Sequence, residues 1–163
     1  IGLMRLYGTT VNRDPRLLTA FGRDISLVSE EKYRNFSPPS NLVNFPQGLE
    51  NSELEYSGIY EDGYISEESF FILRQPSSTK KFKIEGLIPY IDQDTFKTIM
   101  ILRIDGVDIV KKELGLGKFL VEIPVMPSQS SNRRVEISFS RAQKLPGADA
   151  RISAAKINFL GFN

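Results

Sequence analysis

Hydrophobic and polar residues alternate with a period of two through most of the chain. In Lys81 to Ile88, Phe82, Ile84 and Ile88 fall on one side and Lys81, Lys83 and Glu85 on the other, which marks a half-buried strand. The same reading gives a strand at 119–125, with Phe119, Val121, Ile123 and Val125 facing one way, and another at 133–141, with Val135, Ile137 and Phe139 together. A last strand covers 154–162, with Ala155, Ile157 and Phe159 set against Lys156 and Asn158. Between them, Lys97 to Ile104 and Val107 to Lys112 flank Asp105-Gly106, the dipeptide preferred in a type I′ hairpin turn. That register pairs Leu102 with Ile109 and sets Arg103 opposite Asp108, a cross-strand ion pair worth about 0.2–1 kcal/mol. Ile99, Met100, Ile101, Leu102 and Ile104 leave no polar face, so this strand is expected to be central and covered on both sides.

A further hairpin is written into 56–73, YSGIYEDGYISEESFFIL. Glu61-Asp62-Gly63 forms a three-residue loop with glycine at its left-handed position. Tyr60 then lies opposite Tyr64, Gly58 and Ser66 share their face, and Ile59 pairs with Ile65 on the core side. Phe70 to Leu73 reads as a separate short apolar strand ending before Pro76.

Residues 1–55 are less regular. Leu3 to Tyr7 and Asp24 to Val28 read as strands, and Asp14-Pro15 opens one or two helical turns over Arg16 to Phe21. Ser29-Glu30-Glu31 reads as a turn. The Pro-, Asn- and Ser-rich run from Phe36 to Ser52 reads as a loop with apolar anchors at Leu42, Val43, Phe45 and Leu49. Seven or eight strands separated by turn signals, with little helix, predict an all-β chain. The expected fold is one antiparallel β-sandwich domain over 1–163, jelly-roll or immunoglobulin-like, whose main body is 56–163 and whose residues 1–55 form a loop-rich N-terminal extension.

Composition narrows the chemistry. The chain has no cysteine and no histidine, which removes disulfides, thiolate nucleophiles, imidazole bases and the usual zinc ligands. A net charge of +1 argues against a nucleic-acid partner held by bulk electrostatics. The charge is uneven: residues 50–68 hold seven acids and no base, whereas 101–163 hold ten bases against six acids. No apolar run is long enough to insert into a membrane. The opening IGLMRLYG lacks a signal-peptide pattern and an initial methionine, as in a processed chain or an excised piece of a longer one. The compartment stays open, because a cysteine-free chain suits the cytoplasm and the cell surface alike.

Tyr56, Tyr60 and Tyr64, with Asp62 and Glu61 beside them, are residue types that bind sugars: rings stack on the apolar face of a pyranose and carboxylates take its hydroxyls. The plain alternative is that these tyrosines are good strand residues and Tyr60–Tyr64 a stabilising cross-strand pair. Asp92 with Asp94, or the Asp62 turn, could supply oxygen ligands to calcium, although neither matches an EF-hand loop, and surface turns carry acids for solubility. No other cofactor is implied. Two acids in a cleft would serve a glycosidase, but no cleft signal accompanies them. Asp149 and Arg151, two residues apart, suit a charge-assisted pair tying the loop to the final strand, or an arginine donor to a ligand.

Taken in order, SGIYEDGYISEESFFIL, KKFKIEGLIP, ILRIDGVDIV, GKFLVEIPV and RRVEISFSRAQKLPGADARISAAKINFLGF resemble the all-β accessory domains attached to bacterial glycosyltransferases of surface-polysaccharide synthesis. The resemblance covers about residues 56–162 and rests on an aromatic-Asp-Gly-aromatic hairpin, Gly86 to Pro89, a strand-Asp-Gly-strand hairpin and the late Asp149-Ala-Arg151. Where that family often has tryptophan this chain has Tyr64, and Ile152-Ser153 stands where Leu-Gly is usual. The resemblance implies a non-catalytic module that recognises a polysaccharide or glycan beside a fused or neighbouring transferase. The expected site is Tyr60, Tyr64, Asp62 and Tyr56, with Arg151 and Asp149 next. Two other readings are carried forward: a protein-interaction or assembly sandwich, and a carboxylate-dependent glycoside hydrolase or lyase.

Overall fold

The computed structural model describes residues 3–7, 24–91, 93–128, 130–149 and 151–163. Strands β1 (Leu3–Tyr7) and β2 (Asp24–Val28) pair antiparallel, Leu3 opposite Val28. Both were expected; the helical turns at Arg16 to Phe21 lie outside the described residues. In place of a turn at Ser29–Glu31 stands a short helix, α1 (Glu30–Arg34). The Ser29 hydroxyl caps it by accepting the Lys32 N–H at 3.2 Å, Glu30 and Glu31 meet its positive end, and Arg34 reaches back to Glu30 one turn earlier.

The run from Phe36 to Ser52 is more regular than a loop. It contains strand β3 (Asn41–Val43) and a 3₁₀ turn at Gln47–Leu49. Its backbone groups find a ladder because β3 adds to the last strand, Leu42 opposite Leu160, and Leu42 and Leu49 sink into the core.

The remaining strands are β4 (Glu55–Ile59), β5 (Tyr64–Arg74), β6 (Lys81–Ile88), β7 (Lys97–Ile104), β8 (Val107–Gly115), β9 (Gly117–Pro124), β10 (Asn132–Phe139), β11 (Gln143–Lys144), β12 (Ile152–Ser153) and β13 (Ala155–Phe162). The main sheet has nine strands in the order β8-β7-β10-β5-β13-β6-β9, with β3 on β13 and β4 on β5. It curls into an antiparallel, barrel-like sandwich whose two end strands, β8 and β9, are joined through Leu116 alone. One side chain bridges the open seam between them: Lys112 Nζ donates to the Leu120 carbonyl at 3.4 Å.

Alternation places the core. Phe82, Ile84, Ile88, Met100, Leu102, Ile104, Val135, Ile137 and Phe139 are all buried, and Phe82 meets Phe162 edge-on at 5.0 Å between ring centroids. The Asp105-Gly106 turn has both residues at positive φ, as a type I′ turn requires, and Arg103 Nε reaches Asp108 at 2.5 Å. Leu102 pairs with Val110 and not with Ile109, because Ile109 is the extra residue of a β-bulge and stays exposed. Strand β7 lies between β8 and β10, yet Ile99 and Ile101 are only half-buried, so its outer face is not covered as expected. In β13 a register shift after Ile157 reverses the alternation; Phe159 points outward under Lys83, and Leu160 and Phe162 take the core.

Strand β5 is one element of eleven residues, not two, and it joins the halves of the sandwich. Its start pairs with β13, Ile65 opposite Ala155, whereas Glu68 to Arg74 pair with β10. Gly58 and Ser66, expected to share a face, are not register partners. Register on β4 jumps between Ser57 and Ile59, so Ser57 faces Phe70 while Ile59 faces Ile65, and β5 bows outward at Glu67-Glu68. Gly58 makes the kink possible: it has a φ of 80°, and an added Cβ would lie 2.2 Å from the Glu68 carbonyl oxygen.

Candidate functional site

The Glu61–Gly63 loop folds as a three-residue hairpin. The Tyr60 N–H donates to the Tyr64 carbonyl at 2.8 Å, the Gly63 N–H to the Tyr60 carbonyl at 2.9 Å, and Gly63 has a φ of 84°. Ile59 and Ile65 point into the core, so Tyr60 and Tyr64 stand on the outer face, each half-buried. The hairpin is docked on β13 and β12: the Ile157 N–H of β13 donates to the Gly63 carbonyl at 2.9 Å, and the Ser153 hydroxyl of β12 donates to the Ile65 carbonyl at 3.0 Å.

Arg151 gathers the other candidates. Its Nη1 and Nη2 donate to the two Asp62 oxygens at 3.0 and 2.7 Å, a fork-to-fork pair. Its Nε donates to both Asp149 oxygens at 2.9 and 3.0 Å, and Nη2 also reaches Asp149 at 2.6 Å. The guanidinium carbon lies 4.8 Å from the Tyr60 ring centroid and 5.6 Å from that of Tyr64. Lys156, paired with Tyr64 across β13 and β5, brings Nζ to 5.4 Å from the same Tyr64 centroid. The Arg151 side chain is only 18% exposed, so these contacts form in a partly desolvated setting.

The electrostatics follow from that geometry. Burial pushes the Asp62 carboxyl up, but the hydrogen bonds and charge of Arg151, with the Tyr64 N–H, outweigh it and hold the group below its ordinary range. Asp149 is held down by the Arg151 side chain and then by the Arg151 backbone N–H. Arg151 is pushed further up by Asp149 and Asp62 and stays charged.

Five of the six predicted site residues therefore meet: Tyr60, Tyr64, Asp62, Asp149 and Arg151. Tyr56 does not join them. It sits opposite Phe71 at the far side of the Gly58 kink and packs against the core. Lys156 belongs to the cluster and escaped the sequence reading, although the alternation that set Lys156 on the outer face of β13 was the available signal. Asp92 lies outside the described residues, Asp94 is exposed, and Asp62 spends both oxygens on Arg151. Among the described residues no group of three or more acids converges as a metal site would require. Chemically, the cluster offers two tyrosine rings and two cations on an outer face, with the carboxylates already engaged. Comparison with protein-family models, curated proteins and solved structures finds no match to this chain.

Proposed function

We propose that this sandwich is a non-catalytic carbohydrate-binding module whose glycan rests on the Tyr60–Tyr64 platform. The observation that carries the reading is the orientation of the two rings: both stand outside the core on a hairpin fixed by Arg151, Asp62 and β13. A pre-fixed aromatic surface spends little conformational entropy on binding, which suits stacking against a pyranose. Asp62 and Arg151 serve first as the clamp behind the rings, and Lys156 is the nearby cation with no acid partner among the described residues. The resemblance to transferase-associated domains supports a setting beside a glycosyltransferase. A glycan array tests the reading: the chain should bind at least one polysaccharide class, and Tyr60→Leu with Tyr64→Leu should weaken that binding about tenfold or more. Signals at background for the unaltered chain overturn it.

The hydrolase reading draws no support from the clamp. A general acid needs a raised pKa, and Asp62 and Asp149 are both held low around one guanidinium. A protein-interaction role has one observation in its favour: Val107 and Leu120, on the end strands β8 and β9, are 59% and 52% exposed. Lys111 and Lys112 on β8 act against edge pairing. Sedimentation across a concentration series separates the two, since an assembly edge would give a dimer or larger species.

A further inference from the structure

At the open end of the β4–β5 hairpin, roughly 15 Å along the strands from Tyr60, lies a cavity of about 350 Å³. Its size falls within the range of small-molecule sites. Three adjacent strands make its floor, because Glu55 on β4 faces Ile72 on β5, and Ile72 faces Arg134 on β10. Tyr33 from α1 and Phe36 from the next loop form one wall, packed edge-on with ring centroids 5.6 Å apart. Glu53 and Asn132 complete it.

Two polar groups there are oriented and have capacity left, and a third carries a buried, unmatched oxygen. Arg134 is held on two sides, its guanidinium carbon 4.2 Å from the Phe70 ring centroid and its Nε donating to Glu136 at 2.9 Å. Its terminal nitrogens make no hydrogen bond to a described residue, which leaves a fixed fork of donors. Glu53 accepts the Ser37 N–H through Oε2 at 2.9 Å and keeps Oε1 for another donor. Asn132 donates from Nδ2 to the Phe36 carbonyl at 2.8 Å, while its buried Oδ1 has no partner among the described residues.

We infer that this cavity is a second sugar subsite, taking one neutral pyranose unit. The inference rests on the carbohydrate reading above and adds to it a place and a ligand class. A pyranose presents hydroxyls that both donate and accept around an apolar ring face. Arg134 supplies donors, Glu53 an acceptor, and Ile72 with the aromatic wall an apolar surface between them. An anionic ligand fits less well, because the three acids that line the cavity, Glu53, Glu55 and Asp105, outnumber its two arginines, Arg34 and Arg134.

The test is nuclear magnetic resonance on the ¹⁵N-labelled chain, following the Asn132 side-chain amide and Arg134 Nε. Glucose, galactose, mannose and N-acetylglucosamine are added in turn at millimolar concentration. At least one should shift both resonances; the Asn132 shift in Arg134→Met, and both shifts in Glu53→Gln, should need about tenfold more sugar, while Tyr60→Leu with Tyr64→Leu leaves the response unchanged. Glu53→Gln keeps the oxygen that accepts Ser37, so its effect does not depend on unfolding the wall. Sugar-induced shifts confined to the Tyr60–Tyr64 hairpin overturn the subsite and leave the carbohydrate reading standing. Inorganic phosphate moving these resonances where the sugars do not also overturns it, as an anion site. Silence with all four sugars, together with an empty glycan array, overturns both.

Discussion

Arg151 grips Asp62 through both terminal nitrogens across 89 positions of sequence, and in doing so fastens the Glu61–Gly63 hairpin to the segment just before β12. The bond is bidentate, Arg151 is largely buried, and Asp149 occupies the remaining side of the same guanidinium. The Asp149–Arg151 pair that the sequence offers is formed, and Asp62, offered by the sequence as a ligand-binding group, joins it to make a clamp between two elements.

Removing the clamp should cost stability. Arg151→Met should lower the unfolding free energy by about 1–3 kcal/mol, the range for hydrogen bonds to charged groups, reduced by the partial exposure of Asp62. Arg151→Lys should recover only part of it, since an ammonium keeps the charge and loses the fork. Urea denaturation of the two variants against the parent measures both effects; equal stability of all three would reduce the clamp to a surface contact.

The same clamp predicts an acid limb. Asp62 and Asp149 have folded pKa values below their ordinary ones, so the stability they contribute is fully present above about pH 4 and is lost as pH falls through the lower folded values. Unfolding midpoints between neutral pH and about pH 2 should therefore decline mainly below the ordinary carboxylate range. The double variant Asp62→Asn with Asp149→Asn should show a flatter profile over that window.

The kink in β4 depends on one residue. Gly58→Ala places a methyl group against the Glu68 carbonyl and Ser69 while requiring a left-handed backbone, so it should destabilise by more than about 1 kcal/mol. Gly115→Ala is the control. Its added Cβ meets nothing within 4 Å, and its effect should stay within about 0.5 kcal/mol. Thermal unfolding of the pair discriminates the two positions.

Core packing sets the largest effect. Phe82 is fully buried against Phe162, and Phe82→Ala should cost about 3–5 kcal/mol through lost transfer energy and the cavity it leaves. A loss below about 1 kcal/mol in chemical denaturation would show that this end of the sandwich repacks freely.

The sequence by itself determined the longer alternating strands β6, β7, β9, β10 and β13 and the two hairpin turns. Period-two alternation depends only on which side chains tolerate water, so Phe82, Ile84, Val135 and Ile137 went to the core side as read. Asp105-Gly106 and Glu61-Asp62-Gly63 carry their turn geometry locally, which is why Ile59 faces Ile65 and Arg103 faces Asp108. The same locality sets Tyr60 and Tyr64 on one outer face without help from any long-range contact.

Only the tertiary structure decided what broke the period or crossed the chain. The extra residues of β5 opposite Gly58, and the bulges at Ile109 and Asn158, each shift a register that alternation does not encode, and they moved Phe159 outward and separated Tyr56 from the other tyrosines. β3 becomes a strand because β13 offers it a ladder, not through its own Pro- and Asn-rich neighbourhood. Arg151 reaches Asp62 because β13 pairs with the start of β5, and Glu55, Ile72 and Arg134 share a row because β10 lies beside β5. Strand order is fixed by which buried faces can be covered together, a property of the whole sheet that no single segment carries.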